Sequence, residues 1–299
     1  MAYRSIFLAD DWAHQTYFGW RVILDEPGIR ILVKSVSVFR RYLILLTHEG
    51  VERLDHVVGG CISLFGSNEV IIHDFDAILP TPVLIAKLKF KRAAARERLL
   101  NTATYVVDLK QPLDSLFDRM GPKSRNQIRR AVNLGVTITD VPGGGAALDT
   151  FIAQSEQAIR RFGLTYASRE TLAAMIRNGS LSVFQATSMD GLVVNVTMVY
   201  SARDTAFYMY GSHSKHAPTG TGQMIQFHII SHYKERGYRW YDVGGINDEQ
   251  ENDSIRRFKG SLGGELINLG VEWRSADIGM KAALAFKGAL KQLLSRSAK

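Results

Sequence analysis

Two residues able to do electrostatic or acid–base chemistry lie near glycine-rich turns late in the chain. Asp242 belongs to Tyr241–Ile246 (YDVGGI), where an apolar run ends at two glycines. Lys259 follows Phe258 in the segment 254–265 (SIRRFKGSLGGE). A cation in an apolar setting beside a strand end can stabilise a developing oxyanion. Asp242 fits two interpretations equally, a base at the strand end or a carboxylate that forms a turn before Gly-Gly.

A pair of arginines shares one face of the strongly basic second half of a helix that the pattern predicts within 113–134. Arg125 and Arg129 are one helical turn apart, and guanidinium groups paired in this way suit a phosphate or a carboxylate. Twelve Lys/Arg and four Asp/Glu lie between residues 87 and 130, while the net charge of the whole chain is +8. This local excess predicts contact with a polyanion such as tRNA, a nucleotide-linked precursor or anionic lipid. A solvated helix face is the structural alternative.

A loop with two glycines precedes another helix, which is predicted over 222–236. The loop 217–222 (APTGTG) contains these glycines, Gly220 and Gly222. His213 and His216 lie just before this loop. No Asp, Glu or Cys completes a plausible metal site nearby, so we expect no metal.

Two tyrosines alternate along the strand that precedes this loop. Tyr208 and Tyr210 are two residues apart, so their side chains are expected on the same face of the sheet. Aromatic core packing is the expected role of one of them. Tyr210 is nearer the strand end before Gly211-Ser212, which makes it the better site candidate.

The elements that must position these residues follow a mixed α/β order. Three glycines at 143–145 mark a loop within a domain rather than a linker. In the first hundred residues, short helices at 11–20 and 51–65 accompany several strands. After residue 104 the pattern predicts strands at 105–109, 181–186, 193–200, 205–211 and 240–243, and helices within 113–134 and at 147–162, 169–178 and 222–236.

Composition limits the class of protein. The 299 residues are 46% hydrophobic and 22% charged with only 7 prolines, which is typical of a folded globular protein. The single cysteine, Cys61, excludes an internal disulfide framework and a Cys-rich zinc site. We expect no secretory signal and no membrane span, and therefore a cytoplasmic location. A basic amphipathic tail helix at 277–299 packs on its own protein or lies on the inner face of an anionic membrane.

These motifs together resemble one acyltransferase superfamily. The order of elements from 105 to 273 is similar to that of a GNAT-type acyltransferase domain. Within that superfamily, Phe258-Lys259 before Gly263-Gly264 resembles the Fem branch. The segment 105–136 also resembles Fem proteins, because an Asp-Leu strand leads into an Arg-Asn-x-x-Arg-x-Ala helix and a Gly-Val turn. The opening segment 11–20 (DWAHQTYFGW) is similar to the start of Fem proteins, so the resemblance spans nearly the whole chain.

The resemblance implies roles for individual residues. It places Lys259 beside the acyl ester of the donor, where its charge stabilises the oxyanion, with Phe258 next to it; a surface lysine after a buried phenylalanine is the structural alternative. Arg161 and Tyr166 correspond to residues that contribute to acceptor binding in Fem proteins. The sequence 160–164 (RRFGL) departs from the Arg-x-Gly-aromatic segment of the family.

The resemblance also bears on the donor. In GNAT acetyltransferases a Gln/Arg-x-x-Gly-x-Gly/Ala loop binds the pyrophosphate of coenzyme A. The corresponding loop here starts with Ala217, which lacks the expected side chain. This argues against ordinary use of acetyl-CoA, and the Fem branch takes aminoacyl-tRNA as its donor instead.

We therefore expect an α/β protein of tandem GNAT-like lobes with mixed central sheets. Residues 1–104 form a reduced first lobe, residues 105–274 a complete GNAT domain, and the tail helix 275–299 packs on the first lobe. The expected function is transfer of an amino acid from aminoacyl-tRNA to an amine acceptor, such as a peptidoglycan precursor in cell-wall biogenesis or a small peptide, with no cofactor beyond this co-substrate. Two alternatives remain open: an acetyl-CoA- or acyl-CoA-dependent N-acyltransferase of envelope or natural-product synthesis, and a non-enzymatic binder of polyanions or membrane surfaces.

Overall fold

The computed structural model describes residues 3, 21–26, 29–37, 40–47, 69–75, 90–94, 98, 100–162, 167–246 and 254–275. The chain divides into two compact units. The large unit comprises Met1–Phe18 and Ala103–Ile267, and the small unit comprises Gly19–Thr102 and Asn268–Lys299. Each unit contains a mixed β-sheet, which confirms the predicted α/β class.

The described elements follow one another in this order along the chain: β1 (Arg21–Glu26), β2 (Ile29–Ser37), β3 (Arg40–Thr47), β4 (Glu69–Asp74), β5 (Phe90–Arg92), β6 (Ala103–Asp108), α1 (Leu113–Arg119), α2 (Pro122–Asn133), β7 (Thr137–Asp140), α3 (Gly145–Phe162), α4 (Arg169–Arg177), β8 (Leu181–Thr187), β9 (Val193–Ala202), β10 (Thr205–His213), α5 (Thr221–Glu235), β11 (Trp240–Ile246), α6 (Ser254–Gly260), β12 (Glu265–Asn268) and β13 (Val271–Ser275).

The small unit has a six-stranded sheet in the order β1-β2-β3-β4-β13-β5. β3 and β4 pair in parallel and the other neighbours are antiparallel. Its centre is apolar because consecutive residues of β4, Val70 to Ile72, are all buried. The strand β13 completes this sheet, although the sequence interpretation assigned residues up to 274 to the second domain. Gly270 allows this return, because its φ of 89° and its approach to the Asp74 carbonyl leave no room for a Cβ.

Three predicted segments lie outside the described residues: the helices at 11–20, 51–65 and 277–299. Cys61 lies outside them as well. Within the described part of the chain, no helix is both long and apolar enough to cross a membrane.

The large unit has a seven-stranded sheet in the order β12-β6-β11-β10-β9-β8-β7. β10 and β11 pair in parallel, whereas β11 pairs with β6 and β10 pairs with β9 in antiparallel fashion. The helices cover both faces. One core cluster packs between the sheet and α1, α2 and α5, and the other packs between the sheet and α3 and α4.

The predicted basic helix within 113–134 is two helices, α1 and α2. The break follows from Pro122, which is the first residue of α2 and has no backbone N–H to continue α1. Gly121, just before it, has extended backbone angles. The remaining helices and strands predicted between 105 and 243 are present within a few residues of the expected bounds, and β7 is an additional edge strand that the pattern did not predict.

Candidate active site

A cleft opens at the middle of the large sheet, where two parallel strands separate. β10 and β11 pair only from Thr205 to Phe207 and from Trp240 to Asp242, although both strands continue beyond this point. A register shift between Tyr208 and Tyr210 affects β10, and a second shift affects β11 after Asp242. Irregular pairing of this kind bends a strand and changes the direction of its side chains.

Lys259, on α6, reaches the cleft. Its Nζ donates a hydrogen bond of 2.9 Å to the carbonyl oxygen of Gly245, and it lies 5.6 Å from the centroid of the Tyr208 ring. Gly244 makes this approach feasible. Its φ is 77°, and a Cβ there would lie 2.8 Å from the Tyr208 carbonyl oxygen and 3.1 Å from Lys259 Nζ. The half-buried ammonium therefore lies against backbone at the point where the strands separate.

Asp242 is the buried carboxyl of the cleft, with 1% of its surface exposed. Its Oδ1 accepts hydrogen bonds of 2.5 Å from the Thr104 hydroxyl and 2.8 Å from the Gly244 N–H, and its Oδ2 accepts one from the Tyr3 hydroxyl. Burial raises the pKa of Asp242, while these three donors and the charge of Lys259 act in the opposite direction. The predicted glycine turn is a bulge within β11, where Asp242 accepts from the Gly244 N–H, and the role of Asp242 as a base stays a prediction.

A cavity of about 420 Å³ lies beside the cleft, at the N-terminus of α5. Gly220, Gly222 and Phe258 are among its lining residues, so the predicted donor loop and the Phe-Lys segment meet here. Gly222 lies against Phe258, since a Cβ at Gly222 would be 3.5 Å from Phe258 Cε2. Phe258 also packs against the core cluster that includes α5. The structure thus brings together the two glycines and the phenylalanine that the sequence indicated separately.

The wall of this cavity is polar but uncharged. The described lining residues include no Asp, Glu, Lys or Arg. Their buried polar members are Asn195, Thr197, Ser212 and Gln226. Burial lowers the pKa of His213, another lining residue, so that its imidazole is neutral at pH 7. The backbone N–H groups at the start of α5 therefore provide the local preference for negative charge, and the side chains suit hydroxyl and amide groups.

Tyr208 and Tyr210 do not share a face as predicted. Tyr208 packs against the cluster beside α5 and lines the cavity. Tyr210 packs against the opposite cluster, with its ring centroid 6.0 Å from that of Phe151. The register shift between the two tyrosines reverses the alternation. Tyr208, not Tyr210, is the tyrosine at the cleft.

The predicted arginine pair has two different environments. Arg125 donates from Nη1 to the carbonyl oxygens of Asp118 and Met120, at the end of α1. Arg129 is exposed, donates to Asn126 Oδ1 at 3.1 Å, and lies 5.5 Å from the Phe117 ring centroid. Arg125 therefore joins two helices, while Arg129 remains on the exposed surface of α2.

Two other predicted residues cannot be placed in the site. The Arg161 side chain and Tyr166 lie outside the described residues. Sequence reasoning also missed residues that the structure brings to the cleft, among them Tyr3, Thr104 and Tyr208. Strand alternation indicated Tyr208 as readily as Tyr210, whereas nothing near Tyr3 or Thr104 in the sequence connects them with Asp242. Among the described residues no group of His, Cys, Asp or Glu could hold a metal ion.

Comparison with known proteins agrees with this geometry. Residues 122–259 match the family model of the acetyltransferase (GNAT) domain, and no curated protein matches the chain. The structure is similar to that of FemX, with a TM-score of 0.65 and 14% identity over 94% of each chain. It is also similar to the C-terminal domain of a putative lysylphosphatidylglycerol synthetase from Agrobacterium fabrum, with a TM-score of 0.57 and 15% identity over 93% of this chain and 89% of that one.

A third similar structure is a tandem GNAT protein from the clavulanic acid biosynthesis pathway. Its TM-score is 0.51 and its identity is 14%, over 83% of this chain and 78% of that chain. At these identities the similarity shows a shared fold. Residues 122–259 thus match the GNAT domain model, and the fold is one that FemX and a tandem GNAT protein share, as the sequence predicted.

Proposed function

We propose that this protein is an aminoacyltransferase that moves an amino acid from aminoacyl-tRNA to an amine acceptor, such as a peptidoglycan precursor or a small peptide. The GNAT domain supports acyl transfer as the general class of reaction. The observation that carries the proposal is the position of Lys259 at the separation of β10 and β11, next to the cavity at the start of α5. The Fem-like Phe258-Lys259 motif and the FemX fold point to the aminoacyl donor.

The reaction requires little from the protein beyond positioning and charge. The lone pair of the acceptor amine attacks the carbonyl carbon of the donor ester, and the carbonyl oxygen becomes negatively charged. The Lys259 ammonium stabilises that oxygen. The bond from the carbonyl carbon to the ribose oxygen then breaks, an amide forms, and the proton released by the amine passes to the departing ribose oxygen, which becomes a hydroxyl.

The chemistry of the cavity favours tRNA over coenzyme A as the donor. Ala217 lines the cavity at the loop position where GNAT acetyltransferases carry Gln or Arg. Neutral side chains such as Asn195 and Gln226 suit the ribose hydroxyls and ring nitrogens of a terminal adenosine, and the described lining residues include no Lys or Arg to bind a pyrophosphate.

A basic surface for the rest of the tRNA adjoins this cavity. Gly220 contacts the backbone of Gln127 so closely that a Cβ would overlap its carbonyl oxygen, so the cavity loop rests directly on α2. α2 contains no acidic residue, and Lys123, Arg129 and Arg130 are exposed on it. A polyanion that leaves the cavity over α2 would meet these cations.

An acyl-CoA-dependent N-acyltransferase is the second candidate. The N-terminus of α5, with the left-handed Gly220 as its N-cap, offers backbone N–H groups to a pyrophosphate at the same cavity. The tandem GNAT fold of the clavulanic acid pathway protein supports this candidate as well.

The test of the proposal compares two donors. Radiolabel would be followed from a mixed pool of charged tRNAs, and separately from acetyl-CoA, into the amine-bearing components of a cell extract. We expect transfer from tRNA. Transfer from acetyl-CoA alone would contradict the proposal in favour of the second candidate, and transfer from neither donor would favour the non-enzymatic binder.

Variants of α2 in which basic residues are replaced by neutral ones test whether this helix contacts tRNA. Replacing Lys123 and Arg130 by Gln should lower affinity for tRNA and reduce the slope of log affinity against log salt by roughly 1.5, because each lost phosphate contact removes about 0.7–0.9. The matched control replaces Arg177 and Arg236, two exposed arginines at the ends of other helices, and should leave the slope within experimental error.

A further inference from the structure

One polar chain connects the N-terminal segment to the candidate catalytic lysine. Asp242 is its centre and lies at the last residue pair that joins β10 to β11. The carboxyl is buried, so each hydrogen bond to it acts in a medium of low dielectric constant. A change in the position or charge of this carboxyl therefore affects the residues at the point where β10 and β11 separate.

The donors around Asp242 suit its ionised form. Thr104 on β6, Tyr3 and the backbone N–H of Gly244 all donate to the carboxyl oxygens, and an ionised carboxyl is an acceptor only. The Lys259 ammonium, on α6, adds an electrostatic interaction that also favours the charged form. Tyr241, the preceding residue, is turned the other way and donates to Gln226 Oε1 at 2.5 Å.

The same carboxyl fixes the backbone that holds Lys259. Oδ1 of Asp242 accepts from the N–H of Gly244, which has a left-handed backbone, and the next carbonyl along, that of Gly245, accepts from Lys259 Nζ. Rotation of the carboxyl would release the Gly244 N–H and move the Gly245 carbonyl. The position of the ammonium thus depends on how the carboxyl is held.

Tyr3 holds that carboxyl from a distance of 239 residues along the chain. Its ring packs edge-on against Trp240, with centroids 6.1 Å apart and planes at 84°. This packing orients the phenolic hydroxyl toward Oδ2. Tyr3 is thus the contribution of the N-terminal segment to the cleft.

We propose that Tyr3 is a positioning residue which, through Asp242 and the Gly244–Gly245 bulge of β11, keeps the Lys259 side chain directed into the cleft. The catalytic consequence of this inference rests on the proposed function. The coupling between Tyr3, Asp242 and Lys259 does not. A tyrosine that merely satisfies a buried carboxyl would affect stability, whereas a positioning tyrosine also affects the titration of Lys259.

The test measures the ionisation of Lys259 directly. Competitive labelling with acetic anhydride, followed by mass spectrometry across pH, reports the midpoint at which this amine becomes reactive, and it needs no substrate. In Tyr3→Phe the carboxyl loses the donor that holds it, and its rotation moves the Gly245 carbonyl away from Nζ, so the ammonium loses an acceptor that favours its charged form. We expect its labelling midpoint to fall by about one pH unit.

Two controls keep the result interpretable. Tyr238→Phe changes another half-buried tyrosine of the large unit and should leave the midpoint where it is in the wild type. In the background of Asp242→Asn, adding Tyr3→Phe should produce no further shift, because the effect passes through Asp242. An unchanged midpoint in Tyr3→Phe, or an equal shift in both backgrounds, would overturn the inference.

The catalytic consequence is measured separately. With charged tRNA as donor, Tyr3→Phe should lower kcat about tenfold with KM for the donor within about twofold of wild type, as for an interaction that matters in the transition state. A shift of the labelling midpoint in a protein that transfers nothing from tRNA would retain the Tyr3–Asp242–Lys259 coupling and reject the proposed function.

Discussion

At the residue scale, a lysine on α6 and a buried carboxyl on β11 meet at the Gly244–Gly245 bulge. Lys259 Nζ donates to the Gly245 carbonyl, and Asp242 accepts from the Gly244 N–H. The carboxyl is almost completely buried, which raises its pKa above the value of an unfolded chain. Since burial disfavours the charged form, ionisation of Asp242 costs folding free energy that the neighbouring donors and cation only partly offset.

This predicts a pH-dependent difference between wild type and Asp242→Asn. With its pKa raised on folding, the native carboxyl binds the proton more tightly than the unfolded one. Its contribution to stability is therefore fully present below the unfolded pKa, near 3.8, and declines as pH rises through the folded pKa. As pH rises, the wild-type free energy of unfolding, relative to that of the variant, should fall by about 1.4 kcal/mol for each unit by which the folded pKa of Asp242 exceeds its unfolded pKa. Urea denaturation between pH 3.5 and 7.5 measures it.

Asp190 provides the matched control, since it is exposed and the Ser188 hydroxyl lowers its pKa. Asp190→Asn should therefore show a dependence of the opposite sign, in which wild type gains relative to the variant as pH rises above the native pKa. A wild-type advantage over Asp242→Asn that grows with pH would contradict the assigned direction.

At the element scale, the cavity depends on the contact between α2 and the start of α5. Gly220 has a φ of 97° and touches the backbone of Gln127. No side chain fits at such a position, because both the conformation and the space exclude one. The contact fixes the loop that forms one wall of the cavity.

Gly220→Ala should consequently destabilise the protein much more than Gly191→Ala. Gly191 has a φ of 82°, yet a Cβ there meets nothing within 4 Å, so its substitution costs only the left-handed backbone penalty of about 1–2 kcal/mol. At Gly220 the overlap with a backbone carbonyl is added, and we expect a loss of at least 3 kcal/mol. Chemical denaturation of both variants tests this. Equal losses in the free energy of unfolding would show that the loop can move away from α2 at little cost.

The elements near the site were predictable to different degrees. Apolar periodicity and glycine stops were enough to predict α5 and the β10 strand, because local sequence controls both. The register shift that separates Tyr208 from Tyr210 depends on pairing with β9, which no local pattern encodes. For that reason the sequence interpretation selected Tyr210, whereas Tyr208 is the tyrosine that lies at the cleft.

At the scale of the whole molecule, contacts between distant segments complete each unit. The Tyr3–Asp242 hydrogen bond links the first residues of the chain to the centre of the large sheet. In the small unit, β13 inserts between β4 and β5 after the whole large unit has been traversed. Such pairings depend on the folded topology, so the GNAT-like α/β fold could be predicted from the sequence, whereas these pairings could not.

The central claim is that Lys259 stabilises the transition state of acyl transfer from aminoacyl-tRNA, and a single-turnover experiment tests it most directly. Charged tRNA would be bound first, and the rate of amide formation followed for wild type, Lys259→Met and, as control, the exposed Lys110→Met. Thermal unfolding of each variant would show that the fold is retained.

We expect the rate for Lys259→Met to fall about 10²–10³-fold, as for loss of one oxyanion-stabilising donor. The dissociation constant of tRNA should stay within about threefold of wild type. Lys110→Met should not change the rate. A rate for Lys259→Met within about threefold of wild type would contradict the claim.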